Sequence, residues 1–163
     1  MKKILESNYK VRIQHCDPFN HLNNMYYLDY FFNAQVDQMK DAYGIDMLSN
    51  LESLGLVWVV TCNQIAYLKP VGITETILID SQLIAKTPRS LVVEMRMWNK
   101  NKTLVKALLW TELAYFNLRT QRAALHSEDL TDFFERILLP SDHDNFNDQR
   151  AFLISQNSKR NIR

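Results

Sequence analysis

Glycine is scarce in this 163-residue sequence: Gly44, Gly55 and Gly72 are the only three. They stand too far apart to write a GxGxxG dinucleotide loop or a Walker-type phosphate loop. The two cysteines, Cys16 and Cys62, form no CxxC pair, which excludes a zinc ribbon. His15, His21, His126 and His143 form no HExxH pair, so no metal site is read from the sequence. Charge of one sign is also missing. Lys and Arg number 19 against 18 Asp and Glu, a net charge of +1, which argues against duplex binding through a basic face. The longest mostly apolar stretch, Leu54 to Cys62, is far short of a membrane span, and MKKILESNYK lacks the apolar centre of a secretory signal. These absences predict a cytoplasmic protein with reduced thiols, no nucleic acid, no membrane and no metal.

What is present is ordinary globular material, 47% hydrophobic and 23% charged. A chain of this length is one domain in size and buries about two-thirds of its unfolded surface without a staple. Tyr9 to Gln14 alternate and read as a short strand. After the turn-forming HCDPFNHLNN the period changes. Leu28, Phe32, Val36, Met39 and Tyr43 recur at three- and four-residue steps, the stripe of one helix, widened by Phe31 and Ala42. Asn23 or Asn24 can cap its start, and Gly44 can end it. Tyr26, Tyr27 and Tyr30 on its flanks predict burial on more than one side.

Val57 to Leu68 is β-branched and aromatic, closed by Pro70. Thr76 to Ala85 alternates, with Ile77, Ile79, Leu83 and Ala85 on one face and Asp80 and Gln82 on the other. Leu91, Val93, Met95 and Met97 alternate with Glu94 and Arg96. Thr103 to Leu118 places Val105, Ala107, Leu109, Leu113 and Tyr115 on one face. Short turns join the last three segments, which predicts an antiparallel meander. Trp58, Trp98 and Trp110 lie on strands, without an assignable partner. Ser127 caps a short helix through Leu139, stopped by Pro140. Residues 1–140 form the folded unit, and 141–163 read as a polar tail, disordered or with one helical turn near Ala151–Ile154. The long helix is too apolar to rest on a flat sheet with its far side in water. The sheet must curl round it, or a second subunit must complete the cover.

One segment sets unusual polar residues beside the helix start: Cys16-Asp17-Pro18-Phe19-Asn20-His21-Leu22-Asn23-Asn24. Pro18 biases Asp17 toward an extended backbone. Helix N-termini offer unpaired N–H groups that favour a carboxylate nearby and can stabilise an oxyanion. Asp17 is thus a candidate base or nucleophile, with His21 in reach of it or of a substrate. The same residue types also serve as ordinary caps and turn-formers. Cys16 is no candidate nucleophile, because an adjacent carboxylate raises a thiol's pKa.

The run VRIQHCDPFNHLNNMYYLDYF resembles the signature of the hotdog-fold acyl-CoA thioesterases of the 4-hydroxybenzoyl-CoA thioesterase-like group. Asp17, His21, Leu22, Asn23, Asn24 and Tyr27 fill its positions, and the D…HxNNxxY run of acyl-carrier-protein thioesterases is similar. Tyr67-Leu68-Lys69-Pro70-Val71 and Arg89-Ser90-Leu91 resemble two further family pieces. Many relatives carry Gly where Asn20 stands and a second acid where His15 stands. The resemblance implies an α+β hotdog fold, a curved antiparallel sheet wrapped round one long central helix. It implies hydrolysis of an acyl-CoA thioester without a cofactor, in a homodimer or homotetramer whose sites lie between subunits. The N–H of Asn24 would polarise the carbonyl, Asp17 would attack it or activate a water, and His21 would orient one of them. Tyr27, Lys69, Arg89 and Ser90 would bind substrate. Lys100 and Lys102 are further candidates for the phosphates of coenzyme A, and Met25 and Tyr26 for the acyl group. A non-catalytic module that binds acyl thioesters is the alternative reading. A hydratase would want a Gly- or Pro-rich helix approach, which HLNNMYY lacks.

Overall fold

Alternation along the chain becomes a single antiparallel sheet. In the computed structural model, which describes residues 1–46 and 54–160, the strands are β1 (Ile4–Lys10), β2 (Leu56–Tyr67), β3 (Thr76–Lys86), β4 (Ser90–Asn99), β5 (Val105–Asn117) and β6 (Arg122–Ala123). Their order is β1-β3-β4-β5-β2, with β6 on β5. The expected meander is β3-β4-β5. Helix α1 (Tyr27–Tyr43) lies against the inner face, α2 (Glu128–Ile137) closes one end, and α3 (Phe146–Arg160) packs on the outer face. This is the curled sheet round a long helix that the hotdog resemblance implies.

Caps set the helix ends. Asn23 accepts the N–H of Met25 at 3.0 Å, starting a 3-10 turn (Asn24–Tyr26) that leads into α1. Gly44 stops α1 with φ +68°, where a Cβ would be strained. Ser127 caps α2 through Leu130 N–H. That helix ends at Ile137 rather than Leu139, because Leu139 N–H bonds to Leu83 O at 2.9 Å instead.

Several expectations are corrected. The first strand is Ile4–Lys10, not Tyr9–Gln14. Beyond Lys10 the ladder with β3 ends, Arg12 N–H turns to the Tyr30 hydroxyl at 2.9 Å, and Ile13–His15 form a 3-10 turn. The buried stripe of α1 is Tyr27, Tyr30, Phe31, Ala34 and Gln38, rotated from the apolar stripe read by spacing; Val36 is 44% exposed. Gln38 can face the sheet because its amide donates to Ser7 Oγ and Ile79 O and accepts from Ser81 Oγ. Register shifts move two inward assignments. Between Leu83 and Ala85 the shift leaves Ala85 exposed and Ile84 buried. Between Met97 and Trp98 it sends Val105 to the outer face, with Leu108.

The outer face is not a solvated face. Asp80 is 0% and Glu94 1% exposed. Arg96 Nε and Lys102 Nζ meet the two oxygens of Asp80 at 2.8 and 2.9 Å, and Trp98 Nε1 donates to Asp80 Oδ2 at 3.0 Å. Trp110 Nε1 donates to Glu94 Oε2 at 2.7 Å. The segment read as a polar tail roofs this layer with the 15 residues of α3; the last three residues of the chain lie outside the described ones. Phe146 and Leu153 bury against Ala66, Trp98, Val105 and Leu108. Gln149 Nε2 donates to Glu94 Oε1 at 3.0 Å. The Asn157 amide bonds both the N–H and the C=O of Val105, at 3.1 and 2.9 Å.

Candidate active site

The loop between β1 and α1 is shaped by its own carboxylate. Asp17 Oδ1 accepts the N–H of Phe19 at 2.9 Å and of His21 at 3.1 Å, while Asp17 N–H donates to His21 O at 2.8 Å. Asn20 sits between them at φ +63°, a left-handed backbone that Asn tolerates. The loop is stitched to the segment after β2: Leu22 N–H bonds Val71 O at 2.8 Å and Ile73 N–H bonds Asn20 O at 2.9 Å. These bonds bring two segments about fifty residues apart into one site.

The result is an open cleft of about 230 Å³, lined by Asp17, His21, Asn24, Tyr27, Tyr67 and Lys69, among others. Asp17 is half-buried, and one carboxylate oxygen is left free of the loop's hydrogen bonds. Asn24 opens the 3-10 turn, so its N–H has no acceptor among the described residues, while its carbonyl accepts the Tyr67 hydroxyl at 3.3 Å. Tyr27 is buried and meets Tyr67 edge to face with centroids 4.9 Å apart. Burial pushes the Tyr27 phenol up to about 12, so it is a neutral hydroxyl and not a base. The exposed His21 imidazole has no hydrogen-bond partner among the described residues. A free carboxylate oxygen, a free N–H donor and an aromatic wall can together act on a carbonyl group.

Not every expected residue meets there. Arg89 and Ser90 form the β3–β4 turn, held by Thr87 Oγ1, and Ser90 aligns with Ala114, opposite Val59 of β2. Tyr67 is eight residues further along β2, about 25 Å at a strand's rise. One copy of the chain therefore does not bring Arg89 or Ser90 to Asp17. Lys102 is held by Asp80 and Glu6, so it is a structural cation of the outer face rather than a phosphate ligand. Met25 is 82% exposed. Burial, with the Asp17 charge second, pushes the Cys16 thiol up, in keeping with its rejection as a nucleophile.

Two neighbours went unassigned in the sequence. Tyr67 belongs to the YLKPV motif but shows its role only through its contact with Asn24. His15 stacks on Tyr26 at 4.4 Å and places Nδ1 3.0 Å from the Tyr30 hydroxyl. The Tyr30 hydroxyl also accepts the N–H of Arg12, so it ties His15 and the segment after β1 to α1. His15 thus braces the helix start and lies outside the Asp17 cleft.

Solved structures share the fold. SAV2348 of Staphylococcus aureus, solved in complex with CoA, aligns with a TM-score of 0.77 at 13% identity over 90% of each chain. The DHNA-CoA thioesterase of Staphylococcus aureus aligns at 0.74 and 15% identity, over 82% of this chain and 90% of its own. YbaW of Escherichia coli aligns at 0.71 and 23% identity, over 83% of this chain and 99% of its own. No curated protein matches the sequence. The family model of the thioesterase-like superfamily matches residues 11–134, which hold the Asp17 loop, α1, strands β2 to β6 and most of α2. The chain belongs to the thioesterase-like superfamily.

Proposed function

We propose that this protein hydrolyses an acyl-CoA thioester to the free acid and coenzyme A, as in the 4-hydroxybenzoyl-CoA thioesterase-like group. The observation that carries the reading is the pairing, in one open cleft, of a carboxylate having a free oxygen with the unpaired N–H of Asn24. The thioester carbonyl oxygen accepts from Asn24 N–H, which favours the developing oxyanion. Either Asp17 attacks the carbonyl carbon, expelling the thiolate and leaving a mixed anhydride that water cleaves, or Asp17 takes a proton from the water that attacks. The leaving thiol has a pKa of about 8.5, so its thiolate departs with little help from an acid. That suits a site with few titratable groups. His21 steadies the substrate from the rim, and Tyr27 and Tyr67 flank it.

In this reading the site is completed in a homodimer or homotetramer, where Arg89 and Ser90 of one copy reach the cleft of another. The test is Asp17→Asn. It should cut thiol release from acyl-CoAs by at least a thousandfold, leaving the unfolding midpoint and oligomeric state in place. Near-normal turnover would sink the hydrolase reading. Tight binding of acyl-CoA by the unaltered protein with no free thiol would favour the non-catalytic module. Label found in the Asp17 carboxylate after single turnover in ¹⁸O-water would establish the anhydride route, cleaved by water at the Asp17 carbonyl, because the general-base route never puts water oxygen into that carboxylate.

A further inference from the structure

A second cleft, of about 200 Å³, continues the Asp17 cleft. The two share Tyr67, Leu68 and Lys69, and the far wall of the second is α3, through Arg150, Ile154 and Ser158. Those positions follow a four-residue step and share one helix face. The residues before Arg150 and Ser158 are the anchors Gln149 and Asn157, bonded to Glu94 and to Val105. Arg150 is thus carried on a helix fixed to the sheet. No acidic side chain lines this cleft, and neither Lys69 nor Arg150 has an ion-pair partner among the described residues. The family match ends at residue 134, before α3 begins.

We propose that α3 supplies a phosphate-binding extension of the active site. Arg150 and Lys69 hold a phosphate on the coenzyme A side of the thioester, while the acyl carbonyl lies at Asp17. This rests on the acyl-CoA reading above. Arg presents a planar fork of N–H donors that matches phosphate oxygens, and a second unpaired cation on the opposite wall completes a clamp. Ser158 stands beside it as a neutral hydroxyl, though its Oγ already donates to Ile154 O.

Arg150→Gln keeps a good helix former and removes the charge. The readout is selectivity, the kcat/KM for an acyl-CoA divided by that for the same acyl group on phosphate-free N-acetylcysteamine. The variant should lose about fivefold in this ratio, and Lys69→Gln/Arg150→Gln should lose more. An unchanged ratio, with an unchanged unfolding midpoint, overturns the proposal. So does an equal fall on both substrates, which would make α3 a support for the fold. Calorimetry with coenzyme A and with 4′-phosphopantetheine runs beside it and needs no turnover. Weaker binding of both to the variant assigns the phosphate next to the pantetheine arm, and weaker binding of coenzyme A alone assigns a nucleotide phosphate. Equal affinity of variant and unaltered protein for coenzyme A refutes the site. If the unaltered protein releases no thiol from either substrate, the hydrolase reading fails, and the calorimetry still decides this one.

Discussion

Asp80→Asn tests whether the outer face of the sheet is interior. The substitution keeps the shape and one acceptor. The other oxygen, which takes both Trp98 Nε1 and Lys102 Nζ, or else the one facing Arg96 Nε, becomes an NH₂ group aimed at donors. Breaking a buried charge pair by removing one partner costs about 3–5 kcal/mol. The Arg96 and Lys102 side chains are 17% and 35% exposed and recover some hydration, so the lower end, about 3 kcal/mol, is expected. For a chain of this size that lowers the thermal midpoint by about 6–12 °C. Glu6→Gln strips the same lysine of its other partner. Glu6 is 39% exposed, so that change should cost at most about 1 kcal/mol. Urea unfolding of both variants makes the comparison. A loss below about 1 kcal/mol for Asp80→Asn would show that water reaches this layer, and that α3 does not seal the sheet as its contacts imply.

Asn157→Ala removes both bonds to Val105 and leaves that buried N–H and C=O unpaired. A loss of about 2 kcal/mol is expected, with faster hydrogen exchange at Val105; unchanged exchange would mean that α3 is held by its apolar residues alone. His126 packs against Trp58, Tyr115 and Phe134, and its Nε2 accepts from Trp58 Nε1 at 3.4 Å. Burial, its largest influence, lowers its pKa below 6.5, so the folded ring is neutral where the unfolded ring takes a proton. Stability should therefore fall as pH drops below about 6.5 toward the depressed folded value, and His126→Gln should flatten this slope in denaturation between roughly pH 7 and 5. Identical slopes in the two proteins would remove His126 as the cause.

Spacing along the chain already located β3, β4 and β5, the capped approaches to α1 and α2 and the left-handed stop at Gly44. It also singled out the Asp17–Asn24 loop. Each of these depends on neighbours a few residues apart: pleat period, turn chemistry, a side chain reaching its own backbone. Tertiary structure decided what depends on distant partners. Asp80, Glu94 and Gln38 look like surface residues by sequence, yet they are buried because Arg96, Trp110, Ser81 and the amide of Gln149 arrive from other elements. One added residue at each of two bulges reversed the facing of Ala85 and Val105, which strict alternation cannot foresee. The helix α3 hides in a polar sequence because only a few of its residues touch the sheet, and its anchors are amides rather than an apolar stripe. The sequence thus selected the carboxylate and the helix start. Folding then set Tyr67 and Lys69 beside them and Arg150 in the adjoining cleft, because backbone bonds from Leu22 to Val71 and amide bonds from Asn157 to Val105 close distances that no local pattern encodes.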